Sequence, residues 1–412
     1  MKVAIQLDRP ISDHDPPFTC MDYVRGSAVL SLQRADAVSR VTVILSGTLF
    51  SSVVAAATNP LDGTLHAMNS HKLFEDNQPI FPPLDLPISS KGFSLPQGSN
   101  VFPFVLRFPL LSTCSDMNHD WIKHLNTTLP PTTKVQAPNN AATAEAKYHL
   151  KVKVERPGRF KPDLTSQLEL KFTPLDPSLP PPMLNPVSVR TSRSLLRTLS
   201  GSPPSSPPVS DRLDNSVITF EASLPSPAIL HTKHHLPLKL FAVIKSAPRI
   251  PGTSVYLRTL LLSLRTETIV TVGPNSTTWF SSNDLVSLSG LDTELSEGAA
   301  ESGELDDHLW KDATVPNMTP SFTSCTLVQQ HSLVIVGGFS YEKNGPIQTR
   351  TIKTSINVDI HTGIRPVPNP DDIVETVEEM PFVPWRVGSE RHLGIVRRSD
   401  SISMNAPPPA YS

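Results

Sequence analysis

The most specific chemical pattern of this sequence lies at its end, in the residues Pro-Pro-Pro-Ala-Tyr-Ser from Pro407 to Ser412. These residues contain the pattern PPxY. Consecutive prolines favour a polyproline II helix, which loses little conformational entropy on binding, and the tyrosine adds one aromatic anchor. The grooves of WW domains recognise segments of this kind. We therefore predict that Pro408, Pro409 and Tyr411 bind a WW domain. The alternative is a proline-rich chain end without a partner.

Serines in the polar, proline-rich parts of the chain form a second set of candidates. An arginine stands three residues before two of them, and a proline directly follows two others. A phosphate group would add charge and acceptor oxygens that an arginine-cluster reader such as a 14-3-3 adaptor binds. The alternative is an unmodified serine-rich segment. The candidate phosphorylation sites are Ser200, Ser202, Ser206, Ser399 and Ser401.

The histidines His231, His234 and His235 are the one place where the sequence suggests a metal. A metal would need further ligands from elsewhere, and no cysteine or acidic residue is near them in sequence. The acidic run from Asp292 to Asp307 lacks the ligand spacing of a calcium loop. We therefore predict structural roles for the histidines, and neither a metal nor a cofactor.

Motifs of catalysis are absent from the sequence. It has no G-x-S-x-G elbow, P-loop, H-E-x-x-H or G-x-G-x-x-G pattern. Because catalytic groups can also come together from distant positions, an enzyme would be recognised only by a pocket of convergent titratable groups. We predict a protein that is not an enzyme, and the alternative is a cytosolic β-sandwich enzyme.

Composition limits the class of protein further. The chain has 412 residues, enough for two domains, and its formal net charge of -2 gives no general attraction to nucleic acid. Three distant cysteines define no disulfide framework, and no apolar segment is long enough for a leader or a membrane span. These features predict a cytoplasmic protein with at most peripheral membrane association.

Strands are the elements that must position any site. The 43 prolines disfavour long helices. Apolar and polar residues alternate at 148–155 and 168–172 in the first half and at 356–360 in the second, which is typical of half-buried strands. At 236–244, every second residue is apolar, so these side chains would share one face of a strand. Pro103, in a strand around 102–108, predicts an edge position or a strand start, where a missing N–H group costs least. Further strands are expected at 28–32, 41–47, 255–264, 268–272 and 326–336, and short helices at 116–125 and 371–380.

The order of these segments predicts an all-β protein with two domains. An N-terminal β-sandwich covers 1–174, and a Pro/Ser-rich flexible linker covers 175–213. A C-terminal β-sandwich covers 214–365, with a disordered acidic insertion at 290–312. Residues 366–412 are predicted to be a flexible tail that carries the PPxY motif.

Several fragments in this order resemble the arrestin-domain family. In the N-terminal half they are Val24-Arg25-Gly26-Ser27-Ala28-Val29-Leu30-Ser31-Leu32, the Gly98 loop leading into Phe102-Pro103-Phe104, and the strand from Lys147 to Arg156. In the C-terminal half, Pro320-Ser321-Phe322-Thr323-Ser324-Cys325-Thr326-Leu327 leads into a late strand. Together with the terminal PPxY, the chain is similar to the α-arrestins. The resemblance covers about three quarters of the chain.

The resemblance implies tandem arrestin-like, immunoglobulin-type β-sandwiches and a role as an adaptor. Such a protein links the cytosolic segment of a membrane transporter or receptor to a WW-domain, HECT-type ubiquitin ligase for ubiquitination and endocytic sorting. It would be a cytoplasmic phosphoprotein recruited to the plasma membrane or endosomes. The alternative is a retromer-like, arrestin-fold trafficking scaffold without a ubiquitin step.

Overall fold

The computed structural model describes most of the first 364 residues. The described residues are 1–9, 15–54, 66–83, 86, 91–114, 127–158, 161–177, 181, 183–195, 216–245, 254–295, 303–340 and 349–364. Residues 1–368 belong to one compact unit, and a second unit, 369–412, lies outside the described residues.

The N-terminal lobe is built from antiparallel strands in two main sheets. A three-stranded sheet has the order β1-β2-β7, and a five-stranded sheet has the order β10-β9-β4-β5, with β8 paired to β9. Strands β3 and β6 form a separate pair. The bounds are β1 (Lys2–Leu7), β2 (Tyr23–Leu32), β3 (Asp36–Val38), β4 (Arg40–Val54), β5 (His66–Phe81), β6 (Phe93–Leu95), β7 (Gly98–Arg107), β8 (Thr133–Gln136), β9 (Ala142–Glu155) and β10 (Leu164–Leu170).

The C-terminal lobe repeats the principle of two packed sheets. One sheet has the order β11-β12-β14, and the other has the order β13-β19-β18-β15-β16, with β17 paired to β18. Strand β13 runs parallel to β19. The bounds are β11 (Met183–Leu195), β12 (Ser216–Ser226), β13 (Ile229–His231), β14 (Lys239–Lys245), β15 (Val255–Val272), β16 (Asn275–Leu295), β17 (Phe322–Thr323), β18 (Leu327–Ser340) and β19 (Arg350–His361). Short 3-10 turns lie at Pro138–Asn140 and Asp307–Leu309.

Alternating side chains explain why these segments form sheets. Along β9, every second residue from Ala142 to Val154 is buried, and the residues between them are partly exposed. Strand β9 lies between β10 and β4, so one face of the sheet covers the core and the other meets water. The period-2 pattern of the sequence is therefore confirmed as a half-buried antiparallel strand.

An aromatic cluster fills the core of the N-terminal lobe. Tyr148 and Phe172 lie 4.7 Å apart between ring centroids, and Phe108 lies 4.9 Å from Phe172. A Cβ atom at Gly47 would lie 2.7 Å from Cε1 of Tyr148, so only glycine leaves room for the rings at this point of β4. Burial raises the pKa of the Tyr148 phenol well above its usual value, and its hydroxyl donates to the Pro130 carbonyl at 2.5 Å.

The prediction of an all-β sandwich fold is confirmed. The described residues contain no α-helix, and the two sheets of each lobe enclose a hydrophobic core. Pro103 lies in β7, at the edge of its sheet, as expected. The two predicted helices, 116–125 and 371–380, lie outside the described residues. None of the described helical segments is long and apolar enough to cross a membrane.

Two segments that we expected to be irregular contain ordered structure. Strand β11 lies within the predicted linker, where Val187 and Val189 turn towards the C-terminal core and β12 pairs along the strand. In the predicted acidic insertion, β16 continues to Leu295, and Trp310 is buried at 3% exposure. The composition of these segments indicated that the entropy cost of ordering them would keep them disordered. Packing against the lobe offsets that cost.

Candidate functional site

The structure leaves the predicted binding and modification sites untested, because all of them lie outside the described residues. These are Pro408, Pro409 and Tyr411 of the PPxY motif and the candidate phosphorylation sites Ser200, Ser202, Ser206, Ser399 and Ser401. What the described residues offer instead is a polar groove on the C-terminal lobe.

A groove of about 620 Å³ runs along the larger sheet of this lobe. We call it the sheet groove. Most of its lining side chains are polar and are carried by β15, β18 and β19. Its lining residues are Val187, Ala228, Arg265, Glu267, Phe280, Gln330, His331, Ser332, Ser355, Asn357, Val358 and Asp359.

Strand register places these side chains in rows across the sheet. Arg265 of β15 lies opposite Ser332 of β18, and Ser332 lies opposite Asn357 of β19. In the next row, Glu267 lies opposite Gln330. Side chains opposite one another on neighbouring strands stand about 5 Å apart, so each row presents a continuous set of hydrogen-bonding groups.

The wall of the groove formed by β16 is aromatic. Phe280 is 49% exposed, and the guanidinium carbon of Arg265 lies 3.5 Å from its ring centroid. This cation–π contact places the guanidinium group against the Phe280 ring, at the side of the groove. Arg265, Glu267 and Asp359 put charges of both signs in the groove. The arrangement suits a polar, extended segment of another chain.

His331 borders the groove but does not have the properties of a proton-transfer group. The residue is only 4% exposed, and burial lowers the pKa of its imidazole to about 4. The hydroxyl of Ser321 accepts a hydrogen bond from the Ile360 amide and lies 2.9 Å from Nδ1 of His331. His331 is therefore neutral at physiological pH and ties the segment before β17 to β18.

A second group of polar side chains was missed by the sequence reasoning. Asp176, His231 and His361 each offer one ligand atom, and these atoms all lie within 4.8 Å of one another. The residues near His231 in sequence include no cysteine or acidic residue, whereas the fold brings Asp176 and His361 to it from distant positions. The signal available was weak, namely a histidine at the end of each of two separate apolar strands.

The chain has no match among known protein-family models or among curated proteins. What can be said about its class therefore comes from its fold and its surfaces: it is an all-β protein with two sandwich-like lobes and a polar groove on the second.

Proposed function

We propose that this protein is a non-enzymatic adaptor of the α-arrestin type. In this proposal the lobes hold the cytosolic segment of a membrane transporter or receptor, and Pro408, Pro409 and Tyr411 recruit a WW-domain, HECT-type ubiquitin ligase. The protein is cytoplasmic and is recruited to the plasma membrane or endosomes through its cargo.

The sheet groove is the observation that carries the proposal. Its volume of about 620 Å³ falls in the range of ligand sites, yet small-molecule pockets are lined mainly by apolar groups. Here the rows of serine, asparagine and glutamine side chains, with Arg265 and Glu267 among them, can hydrogen-bond a peptide along several strands. A polar peptide segment is therefore a better occupant than a cofactor.

The adaptor acts by proximity. Once cargo and ligase are bound to one chain, their encounter is intramolecular, and the effective concentration of the ligase near the cargo rises. The chemistry of ubiquitin transfer belongs to the ligase. A single PPxY motif gives a weak, exchangeable contact, because avidity from a second linked motif is missing.

Phosphorylation adjusts this contact. Ser399 and Ser401 lie nine and seven residues before Pro408, where the motif begins. A phosphate group there adds charge beside the WW-binding segment and creates a ligand for a 14-3-3 adaptor, which would compete with the ligase for the tail.

Pull-down with immobilised WW domains tests the ligase contact. The full-length protein should bind, and Tyr411→Ala should abolish binding because the aromatic anchor is lost. Ala410→Ser is the matched control, since the position between proline and tyrosine is variable in the motif. Binding that survives Tyr411→Ala would show that the PPxY motif is not the WW-binding segment.

A second experiment separates the adaptor from a trafficking scaffold. Deletion of residues 405–412 should remove cargo ubiquitination in cells if the protein is a ligase adaptor. Unchanged ubiquitination after this deletion would favour the scaffold without a ubiquitin step.

A further inference from the structure

Asp176, His231 and His361 meet where the connection between the lobes approaches the last strand of the C-terminal lobe. His231 ends β13 and His361 ends β19, and these two residues are register partners in the parallel pair. Asp176 follows β10 in the chain, and its backbone N–H donates to the carbonyl of Ile364, just beyond β19. We call this group the Asp-His cluster. It is independent of the proposed adaptor function.

The carboxylate of Asp176 is held in place by the backbone after β19. Its Oδ1 accepts from the amide N of Thr362 at 2.8 Å and from Thr362 Oγ1 at 3.0 Å, and its Oδ2 accepts from the amide N of Gly363 at 2.6 Å. The residue is 7% exposed. Each carboxylate oxygen has two lone-pair sites, so this anchoring leaves Oδ2 able to accept a cation as well. Ligating carboxylates are commonly oriented by such outer hydrogen bonds.

The two strand-end histidines face each other closely. Their ring centroids are 5.7 Å apart, with the ring planes at 75°. His361 is 7% exposed, and its Nδ1 is buried without a hydrogen-bond partner. Buried polar atoms of this kind are rare and call for a specific explanation, such as an ion. A cation bound to Nδ1 of His361 would give this buried nitrogen a partner.

A third histidine, His234, lies beside them in the turn after β13. Its ring centroid is 5.6 Å from that of His231, and its Nδ1 lies 2.9 Å from the carbonyl oxygen of Thr232. A carbonyl oxygen only accepts, so Nδ1 must carry the proton and Nε2 presents a lone pair. This is the hydrogen-bonding arrangement that fixes the tautomer of metal-ligating histidines.

We propose that the Asp-His cluster, completed by His234, binds a structural zinc ion. Imidazole nitrogens with one carboxylate oxygen suit zinc, whereas calcium and magnesium prefer oxygen ligands. In a tetrahedral site with bonds of about 2.1 Å, ligand atoms lie roughly 3.4 Å apart. The ligand atoms of Asp176, His231 and His361 lie within 4.8 Å of one another, so binding requires a modest inward rotation of the side chains.

Such an ion would cross-link the chain at the point where it leaves the N-terminal lobe. It would join the chain segment of Asp176 to β13 and to the end of β19, three parts of the chain that are far apart in sequence. Because the site forms only in the folded protein, binding would stabilise the fold by mass action.

Zinc titration of the full-length protein tests this site. After treatment with a chelator and dialysis, calorimetry with zinc chloride should show one ion bound per chain, and magnesium chloride should show none. His231→Ala and His361→Ala should each weaken zinc binding by at least roughly 10-fold, since losing a ligand costs no less than losing its supporting partner. His235→Ala is the matched control, because this exposed histidine belongs to the same sequence cluster but not to the site, and it should bind as the wild type does.

The thermal midpoint gives a second readout. Zinc should raise it for the wild type and for His235→Ala, but not for His361→Ala. If His231→Ala and His361→Ala fail to fold, zinc binding by His234→Ala becomes the test of the site. His234 is exposed, so its replacement leaves the core intact. No stoichiometric zinc binding by the wild type would overturn the proposal. Affinity unchanged in His234→Ala would overturn the four-ligand site.

Discussion

Ser51 of the N-terminal lobe and Thr326 of the C-terminal lobe share a buried hydrogen bond, with 2.7 Å between their side-chain oxygens. Ser51 lies in β4, and Thr326 directly precedes β18. Both are almost inaccessible to solvent, at 0% and 2% exposure. Around them Val270, Phe322 and Leu327 of the C-terminal lobe join the hydrophobic core of the N-terminal lobe. The two lobes therefore meet through a packed, partly apolar junction.

The junction should couple Ser51 and Thr326 energetically. Ser51→Ala or Thr326→Val leaves one buried hydroxyl without its partner, and each should lower the free energy of unfolding by about 1–2 kcal/mol. The double variant should cost less than the sum of the two, because neither hydroxyl is then left alone. Urea denaturation measures all four proteins.

Ser31→Ala is the control for this cycle, since Ser31 is exposed on β2. It should change stability by less than about 0.5 kcal/mol. Strictly additive effects of Ser51→Ala and Thr326→Val would contradict the coupling.

Trp310 should anchor the segment that follows β16. Its indole N–H donates to the carbonyl of Leu238 at 3.0 Å, and the side chain lies in the C-terminal core. Trp310→Ala should lower the free energy of unfolding by about 3–5 kcal/mol, and Trp310→Phe by less, because the ring then still fills part of the space. Chemical denaturation tests this, with exposed Lys311→Ala as the control. A near-neutral Trp310→Ala would mean that the segment does not pack as described.

His331 should make the fold sensitive to mild acid. The pKa of its buried ring is about 4 in the folded protein, against about 6.5 in the unfolded chain. The unfolded state therefore binds a proton first as the pH falls, and stability is lost between about pH 6.5 and pH 4, by up to about 3 kcal/mol. Unfolding free energies at pH 7 and pH 4.5 measure this loss.

His331→Gln isolates the contribution, because glutamine does not titrate in this range. The variant should lose less stability on acidification than the wild type. His149 also has a lowered pKa through burial, and its contribution is common to both proteins. His235→Gln, at an exposed position, should retain the wild-type pH dependence. Identical acid sensitivity of wild type and His331→Gln would refute the assignment.

The sheet groove should be required for cargo but not for the ligase. Asn357→Trp places a large ring in the groove and should reduce cargo ubiquitination in cells, while WW-domain binding through Tyr411 stays unchanged. Lys353→Trp is the matched control, because Lys353 is exposed on the same strand but does not line the groove. Normal cargo ubiquitination in Asn357→Trp would place the cargo elsewhere on the protein.

Much of the fold was predictable because it depends on local patterns. The alternation at 148–155 and 356–360 predicted strands β9 and β19, and Pro103 predicted an edge, since a residue without an N–H group is tolerated best there. Strand β11 was less predictable: Val187 and Val189 do alternate with polar residues, but the surrounding prolines and serines indicated a linker.

The sequence by itself determined that the chain would form antiparallel sheets and that its end carries a PPxY segment, because strand periodicity and short linear motifs are properties of neighbouring residues. Only the tertiary structure decided which side chains meet. The sheet groove follows from the register of β15, β18 and β19, and the Asp-His cluster follows from the parallel pairing of β13 with β19 and the approach of Asp176. Both depend on contacts between residues far apart in the chain, which no local pattern encodes.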